Sequence, residues 1–159
     1  MTVTNSWMKC IRCGSTTALY GATVFRCICG GLYDVCHDFG QITKMGTWSW
    51  KKVFDRRCQQ VRGEIETVSG VWRFRELVMP SVWSGAIVTL GEGILPFWRA
   101  GRNLSKWIGG GLEIWIMPQG LGPTGSFKDF GGTAMISVAK QSEVPAIGCA
   151  STGDTSAMA

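Results

Sequence analysis

Lys128 is the residue of this sequence best suited to covalent chemistry, because it lies near the start of a predicted helix over residues 126–141. That helix is indicated by apolar side chains at helical spacing: Phe127, Phe130, Ala134 and Val138. Ser126 and Asp129 have the spacing of a capping box, so we expect Ser126 to cap the helix. The helix dipole and partial burial disfavour a charged ammonium there, and a neutral lysine can form an imine with an aldehyde. An ion pair of Lys128 with Asp129 or Glu143 is an equally good interpretation.

A second polar segment, Ser151-Thr152-Gly153-Asp154-Thr155, follows the next apolar run of the chain. Its hydroxyls and backbone N–H groups could hold a carboxylate or a phosphate. Residues 112–117 and 144–149 read as buried strands that alternate with the helix, which is typical of a parallel α/β sheet. Because ligands bind beyond the carboxyl ends of such strands, we expect Lys128 and this loop to face one crevice.

Four cysteines near the N-terminus have the spacing of a zinc ribbon: Cys10, Cys13, Cys27 and Cys29. The second pair is one residue shorter than usual, so Cys36 or His37 could replace a ligand. Four thiolates leave no open coordination position, which indicates structural and not catalytic zinc. The alternative is a hairpin with four reduced cysteines and no metal.

The glycines at 120, 122 and 125 match a dinucleotide-binding fingerprint, but their context argues against one. Pro123 stiffens the turn that would wrap a pyrophosphate. The acidic residue about 20 positions further on, Glu143, precedes the second strand instead of ending it. The sequence therefore disfavours a dehydrogenase.

The chain divides into three predicted parts: a cysteine-rich module at 1–37, a helical connecting segment at 38–88, and the start of an α/β domain at 89–159. The first contains short β-prone pieces at 18–20, 23–26 and 32–35. Helices are predicted at 48–62 and 99–107.

The composition indicates a folded protein, with 45% apolar residues and 17% charged residues among 159. No signal peptide and no span of ~20 apolar residues is evident, so we expect a cytoplasmic chain with reduced cysteines. The net charge of +5 is spread along the chain and concentrated only on a predicted helix. We therefore expect neither nucleic acid nor a membrane as partner.

Four ordered motifs resemble those of the threonine synthase family, within the fold-type II pyridoxal-phosphate enzymes. The lysine motif is Pro-Thr-Gly-Ser-Phe-Lys-Asp at 123–129, and the segment at 150–157 is similar to the family's loop for the substrate carboxylate. The segments at 70–77 and 90–96 and the cysteine module are also similar. The lysine motif alone would indicate only fold type II, whereas the set favours threonine synthase.

The resemblance implies a tryptophan synthase β-like sheet, preceded by a small zinc-ribbon-like hairpin. It implies that Lys128 is the Schiff-base lysine and acid/base of a pyridoxal 5'-phosphate lyase. The reaction would convert O-phospho-L-homoserine and water to L-threonine and phosphate by γ-elimination and β-addition. Ser151, Thr152 and Thr155 would hold the substrate carboxylate, and Asp154 would face the cofactor's 3'-oxygen.

Two positions depart from the pattern that many relatives show. Asp154 stands where Asn is frequent, although plant-type threonine synthases look similar here, and Phe130 stands where Arg is frequent. Family members are also about twice this length or more, and their cofactor-phosphate loop comes later. We therefore expect an N-terminal fragment that is inactive alone, from an enzyme that forms homodimers.

Two other interpretations remain at this stage. One is a related fold-type II lyase or synthase, such as a cysteate-synthase-like enzyme or a threonine dehydratase. The other is a zinc-ribbon binding module attached to a decayed enzyme domain, whose nucleic-acid affinity would fall steeply with salt.

Overall fold

The N-terminal residues form a three-stranded antiparallel sheet. The computed structural model describes residues 6–21, 24–40, 42–59 and 69–159. Its first strands are β1 (Ser6–Cys10), β2 (Thr16–Ala18) and β3 (Tyr33–His37), with β1 in the centre. The predicted strand pieces at 18–20 and 32–35 overlap β2 and β3. The piece at 23–26 is not a strand over 24–26, and its residue 23 lies outside the described residues.

The remaining elements are mostly helical. They are α1 (Thr47–Gln59), α2 (Arg75–Val78), α3 (Arg102–Ile108), α4 (Lys128–Gln141) and α5 (Asp154–Met158), with two short strands, β4 (Trp98–Arg99) and β5 (Trp115–Ile116). Single 3-10 turns occur at Trp72–Phe74, Ser84–Ala86 and Gln119–Leu121. The predicted helices at 48–62, 99–107 and 126–141 correspond to α1, α3 and α4, and residues 60–62 lie outside the described part of the chain. Within that part, none of the helices is both long and apolar enough to cross a bilayer.

The hydrophobic core lies between the segment at 71–87 and one face of α4. Its buried members are Val71, Trp72, Val82, Ala86 and Ile87, and α4 packs against them with Phe130, Ala134 and Val138. These last three residues are those whose spacing predicted the helix, because residues three and four positions apart share one face. The core thus draws on residues from both sides of the expected boundary at 88/89, and it fixes α4 in place.

The predicted parallel sheet is not formed by the described residues. β5 is shorter than the expected strand at 112–117, and it pairs antiparallel with β4. Residues 144–149 contain no strand and are exposed. A buried parallel strand needs hydrogen-bonding neighbours and cover on both faces, and neither segment has these within the part of the chain that the structure describes. The described residues therefore give an α/β chain whose sheets are antiparallel.

An ion pair joins α1 to α2. The guanidinium of Arg57 donates to both carboxylate oxygens of Glu76, at 2.7 and 2.6 Å, and to the carbonyl of Arg73 at 2.7 Å. Burial acts to raise the pKa of Glu76, but the hydrogen bonds and charge of Arg57 hold that pKa below its usual value. Since both side chains are less than a quarter exposed, at 19% and 24%, the pair is only partly screened by water.

We expect the substitution Glu76→Gln to lower the free energy of unfolding by about 1–2 kcal/mol at neutral pH, because Arg57 loses its charged partner. A lowered folded-state pKa stabilises the fold above the unfolded pKa, and this contribution disappears as the pH falls through the folded pKa. Urea unfolding should therefore show the difference from wild type shrinking towards acid pH. The control is Asp55→Asn, which breaks an exposed pair with Lys51. If the effect of Glu76→Gln on the free energy of unfolding does not vary with pH, the lowered pKa assigned to Glu76 is wrong.

Candidate functional site

Lys128 is the first residue of α4, and its side chain is exposed. The predicted position in the first turn is thus present, whereas the predicted partial burial is wrong for the described structure, since no sheet edge covers this end of the helix. The amine Nζ lies 4.8 Å from the centre of the Phe127 ring. Neither Asp129 nor Glu143 forms an ion pair with Lys128 among the described residues. The amine is therefore accessible to a ligand.

The N-cap of α4 is Phe127 and not Ser126 as predicted, although Ser126 and Asp129 both contact the start of the helix. The hydroxyl of Ser126 accepts the amide N–H of Lys128 at 3.3 Å. Asp129, which is buried, does not reach back to the serine but accepts the amide and hydroxyl of Thr124, at 3.1 and 2.5 Å. The turn at 122–125, closed by a bond from Gly125 N to Gly122 O, brings Thr124 within reach. Both side chains therefore fix the backbone around Lys128.

The 151–155 loop lies against the same end of α4. The buried hydroxyl of Ser126 donates to Oδ2 of Asp154, the first residue of α5, at 3.2 Å. Gly132 allows α5 to approach, because a Cβ there would lie only 1.6 Å from Sδ of Met158. The structure thus brings together the two segments that the sequence placed at one crevice.

The hydroxyl-bearing residues of the loop are accessible. Ser151 and Thr152 are exposed and Thr155 is half-buried. Ser151 Oγ accepts the amide of Gly153 at 3.1 Å, which closes the turn. The loop therefore presents hydroxyls to solvent beside the Lys128 helix, while their roles towards a substrate stay predictions.

The four predicted zinc ligands form one cluster. The Sγ atoms of Cys10, Cys13, Cys27 and Cys29 all lie within 4.8 Å of one another, and the 10–29 and 13–27 pairs are each 3.6 Å apart. Tetrahedral zinc with Zn–S bonds of about 2.3 Å separates its sulfurs by about 3.8 Å. Gly31 permits this closure, because a Cβ there would lie 2.7 Å from Sγ of Cys10. The arrangement suits a tetrahedral metal ion.

The alternative ligands Cys36 and His37 do not join this cluster. Cys36 lies opposite Trp7 in the β1–β3 register, and His37 Nδ1 contacts the hydroxyl of Ser6 at 2.7 Å. Among the described residues, the candidate metal ligands are thus the four cysteines alone. All seven cysteines of the chain are free of disulfides.

The thiols of the cluster perturb one another's ionisation. A hydrogen bond from Ser15 is the main factor that lowers the pKa of Cys27 to about 6. The Gly31 amide acts to lower the pKa of Cys29, but the nearby Cys13 thiol, burial and the other thiols together raise it to about 12. Four thiolates in this space therefore need a cation to balance their charge.

Glu92 is a buried acid that the sequence reasoning missed. It lies between Gly91 and Gly93, and it is fully buried in hydrogen bonds with Ser69 and Thr89. The available signal was an acidic residue inside a glycine-bearing turn next to an apolar segment.

Comparisons with known proteins agree on one family. No family model matches the chain. It is 37% identical to the threonine synthase of Methanocaldococcus jannaschii over 149 residues, which is 94% of this chain and 33% of that protein. It is 34% identical to threonine synthase 2, chloroplastic, of Arabidopsis thaliana over 139 residues, or 84% of this chain and 26% of that protein. With the Synechocystis threonine synthase it shares 48% identity over 73 residues.

The chain therefore spans about a third or less of the length of these curated relatives. The three matches cover 94%, 84% and 46% of this chain. The chain is homologous to threonine synthases over most of its own length.

Proposed function

We propose that this chain is the cofactor-lysine part of a threonine synthase, which converts O-phospho-L-homoserine and water to L-threonine and phosphate. The observation that carries the proposal is the match to curated threonine synthases over 94% of the chain. It is supported by the hydrogen bond from Ser126 to Asp154, which joins the Lys128 helix to the loop that we propose binds the substrate carboxylate.

The residues present fit pyridoxal phosphate in two respects. An accessible lysine amine begins α4, and an exposed hydroxyl loop lies beside it. When bound, the cofactor supplies an electron sink that stabilises carbanions. Lys128 would hold it through Nζ, and the same amine would then move the proton at the substrate's α-carbon. Ser151, Thr152 and Thr155 would orient the substrate carboxylate.

Asp154 would lie towards the cofactor's 3'-oxygen. An ionised carboxylate repels a phenolate, so one of the two groups must hold a proton for this contact to be favourable. The hydroxyl of Ser126 donates to Oδ2 of Asp154, which would help to orient this carboxyl group. Residues of the full-length enzyme outside this chain would hold the cofactor phosphate. They would also complete the parallel sheet expected for the fold.

A structural zinc ion at Cys10, Cys13, Cys27 and Cys29 is the second part of the proposal. The proposal is supported by the spacing of the four Sγ atoms, which lie within 4.8 Å of one another. Because four thiolates leave no open ligand position for catalysis, the ion would be structural. The free cysteines favour a reducing, cytoplasmic environment.

The test is a substrate comparison with two proteins: the chain alone, and a chimaera in which the chain replaces the matching third of the Methanocaldococcus jannaschii enzyme. We expect the chimaera to release phosphate and form threonine from O-phosphohomoserine, with at most about 1% of that rate on serine, threonine or O-phosphoserine. The chain alone should be inactive. A preference for threonine or serine would favour a dehydratase, and turnover of O-phosphoserine would favour a cysteate-synthase-like enzyme.

A further inference from the structure

Among the described residues, no cation pairs with the buried carboxylate of Glu92. It is fully inaccessible to solvent, and no lysine or arginine of the described residues forms an ion pair with it. Three donors hold it instead: the hydroxyl of Ser69 on Oε1, and the hydroxyl of Thr89 and the amide of Leu90 on Oε2, at 2.6 and 3.1 Å. Burial of a carboxyl group is costly unless such contacts are made, and these three donors serve both of its oxygens.

In the hydrogen bond between Ser69 and Glu92, the serine hydroxyl is the donor. Ser69 Oγ already accepts the amides of Val71 and Trp72, at 3.1 and 3.0 Å. With both lone pairs used, its O–H proton is available for Glu92. A glutamine side chain at position 92 would have only one acceptor oxygen. It could accept hydrogen bonds from Ser69 or from Thr89, but not from both. If the amide oxygen faced Thr89, its NH₂ group would oppose the Ser69 hydroxyl.

The segment that Glu92 anchors lies directly on α4. The carbonyl of Val88 accepts hydrogen bonds from Trp72 Nε1 and Thr133 Oγ1, at 2.9 and 2.5 Å. Ser137 Oγ in turn accepts the amide of Val88 at 2.9 Å. Residues 88–93 are thus bonded on one side to the segment at 69–72 and on the other to α4.

Gly93 extends this contact to the first turn of α4. A Cβ at Gly93 would lie 2.7 Å from Cε1 of Phe130 and 2.8 Å from Cα of Gly70. The Gly70 amide also donates to the carbonyl of Glu92 at 2.5 Å. The backbone next to Glu92 is therefore wedged between residue 70 and a ring two positions after Lys128.

We propose that Glu92 is a positioning residue for Lys128. It fixes the 88–93 segment through Ser69 and Thr89, and this segment sets the place of the first turns of α4 and hence of the lysine amine. The proposal rests on the proposed function for its catalytic meaning, while its structural part concerns this chain alone.

The test uses backbone hydrogen exchange of the full chain, followed by mass spectrometry. In Glu92→Gln we expect amides of α4 to exchange about tenfold faster, since a buried donor is left without an acceptor. The exchange rates of the α1 amides should stay within about twofold of those in the wild type, because the lost contacts are local. Glu76→Gln, which loses the Arg57 pair, is the control and should affect α1 instead. Equal effects of both variants on α4 would overturn the proposal.

A double variant separates the specific hydrogen bond from general destabilisation. In a Ser69→Ala background, no hydroxyl opposes the glutamine amide, so adding Glu92→Gln should accelerate α4 exchange by about threefold or less. An undiminished tenfold effect would contradict the proposed donor direction.

The link to the lysine has its own readout. After incubation of the chimaera with pyridoxal phosphate and reduction with borohydride, labelling of Lys128 relative to the exposed Lys106 should fall at least about threefold in Glu92→Gln. It should not fall in Glu76→Gln, and labelling unchanged by Glu92→Gln would overturn the positioning role. If the chimaera with the wild-type chain shows no preference for Lys128, the proposed function is wrong, and the exchange data still decide whether Glu92 holds α4.

Discussion

Replacing Lys128 with alanine should abolish threonine formation by the chimaeric enzyme, with a loss of at least about 10³-fold in kcat. The physical reason is that the proposed reaction needs the amine twice, to hold the cofactor and to move the proton at the substrate's α-carbon. The exposed position of Lys128 at the start of α4 means that the substitution removes no core contact. Its effect on the free energy of unfolding should therefore stay within about 0.5 kcal/mol.

The matched control is Lys140→Ala, which removes an exposed lysine from the last turn of the same helix. Both variants should have the same circular dichroism spectrum and the same unfolding midpoint, and the control should keep full activity. Retention of more than about a tenth of the activity by Lys128→Ala would be incompatible with a role as cofactor lysine.

Removing the metal from the zinc-loaded chain should unfold the β1–β2–β3 sheet. Among the described residues of this module the buried apolar side chains are few, with Cys10 and Cys27 among them, so we expect metal binding to supply much of its stability. Structural zinc sites contribute about 10–16 kcal/mol of binding free energy near neutral pH. We expect a chelator to release one zinc ion per chain and to abolish the exchange protection of residues 6–10 and 33–37. Acidification should do the same, since protons compete for the thiolates.

Single cysteine variants make this prediction specific. Cys10→Ser should prevent stoichiometric zinc binding, as measured by inductively coupled plasma mass spectrometry. Cys36→Ser lies in the same sheet but outside the cluster, and it should bind zinc as wild type does. Equal zinc loss in both variants, or a sheet that persists in the metal-free chain, would count against a structural metal site.

Local pattern accounts for the features that were predicted correctly. The helix α4 follows from four apolar side chains at helical spacing, of which Phe130, Ala134 and Val138 pack on the core as expected, whereas Phe127 is exposed. The cysteine cluster follows from two short pairs that each fix two thiols on a turn. In both cases neighbouring residues determine the geometry, so the sequence contains the information within a short window.

The features that were missed depend on contacts between distant residues. β1 has no clear alternation of apolar and polar side chains, and it is defined by pairing with strands up to 31 residues away, as in the Ser6–His37 pair. Glu92 is explained by Ser69, and no local pattern shows that contact. The apolar run at 144–149 resembles a buried strand but lacks pairing partners in the described structure, so its composition alone did not fix its conformation.

The most direct test of the central claim is to locate the cofactor linkage in the chain. The chimaeric enzyme, loaded with pyridoxal phosphate and reduced with borohydride, should yield after proteolysis a single phosphopyridoxyl-bearing peptide that contains Lys128. A linkage at another lysine, or one distributed evenly over Lys106, Lys128 and Lys140, would contradict the assignment of Lys128 as the cofactor lysine.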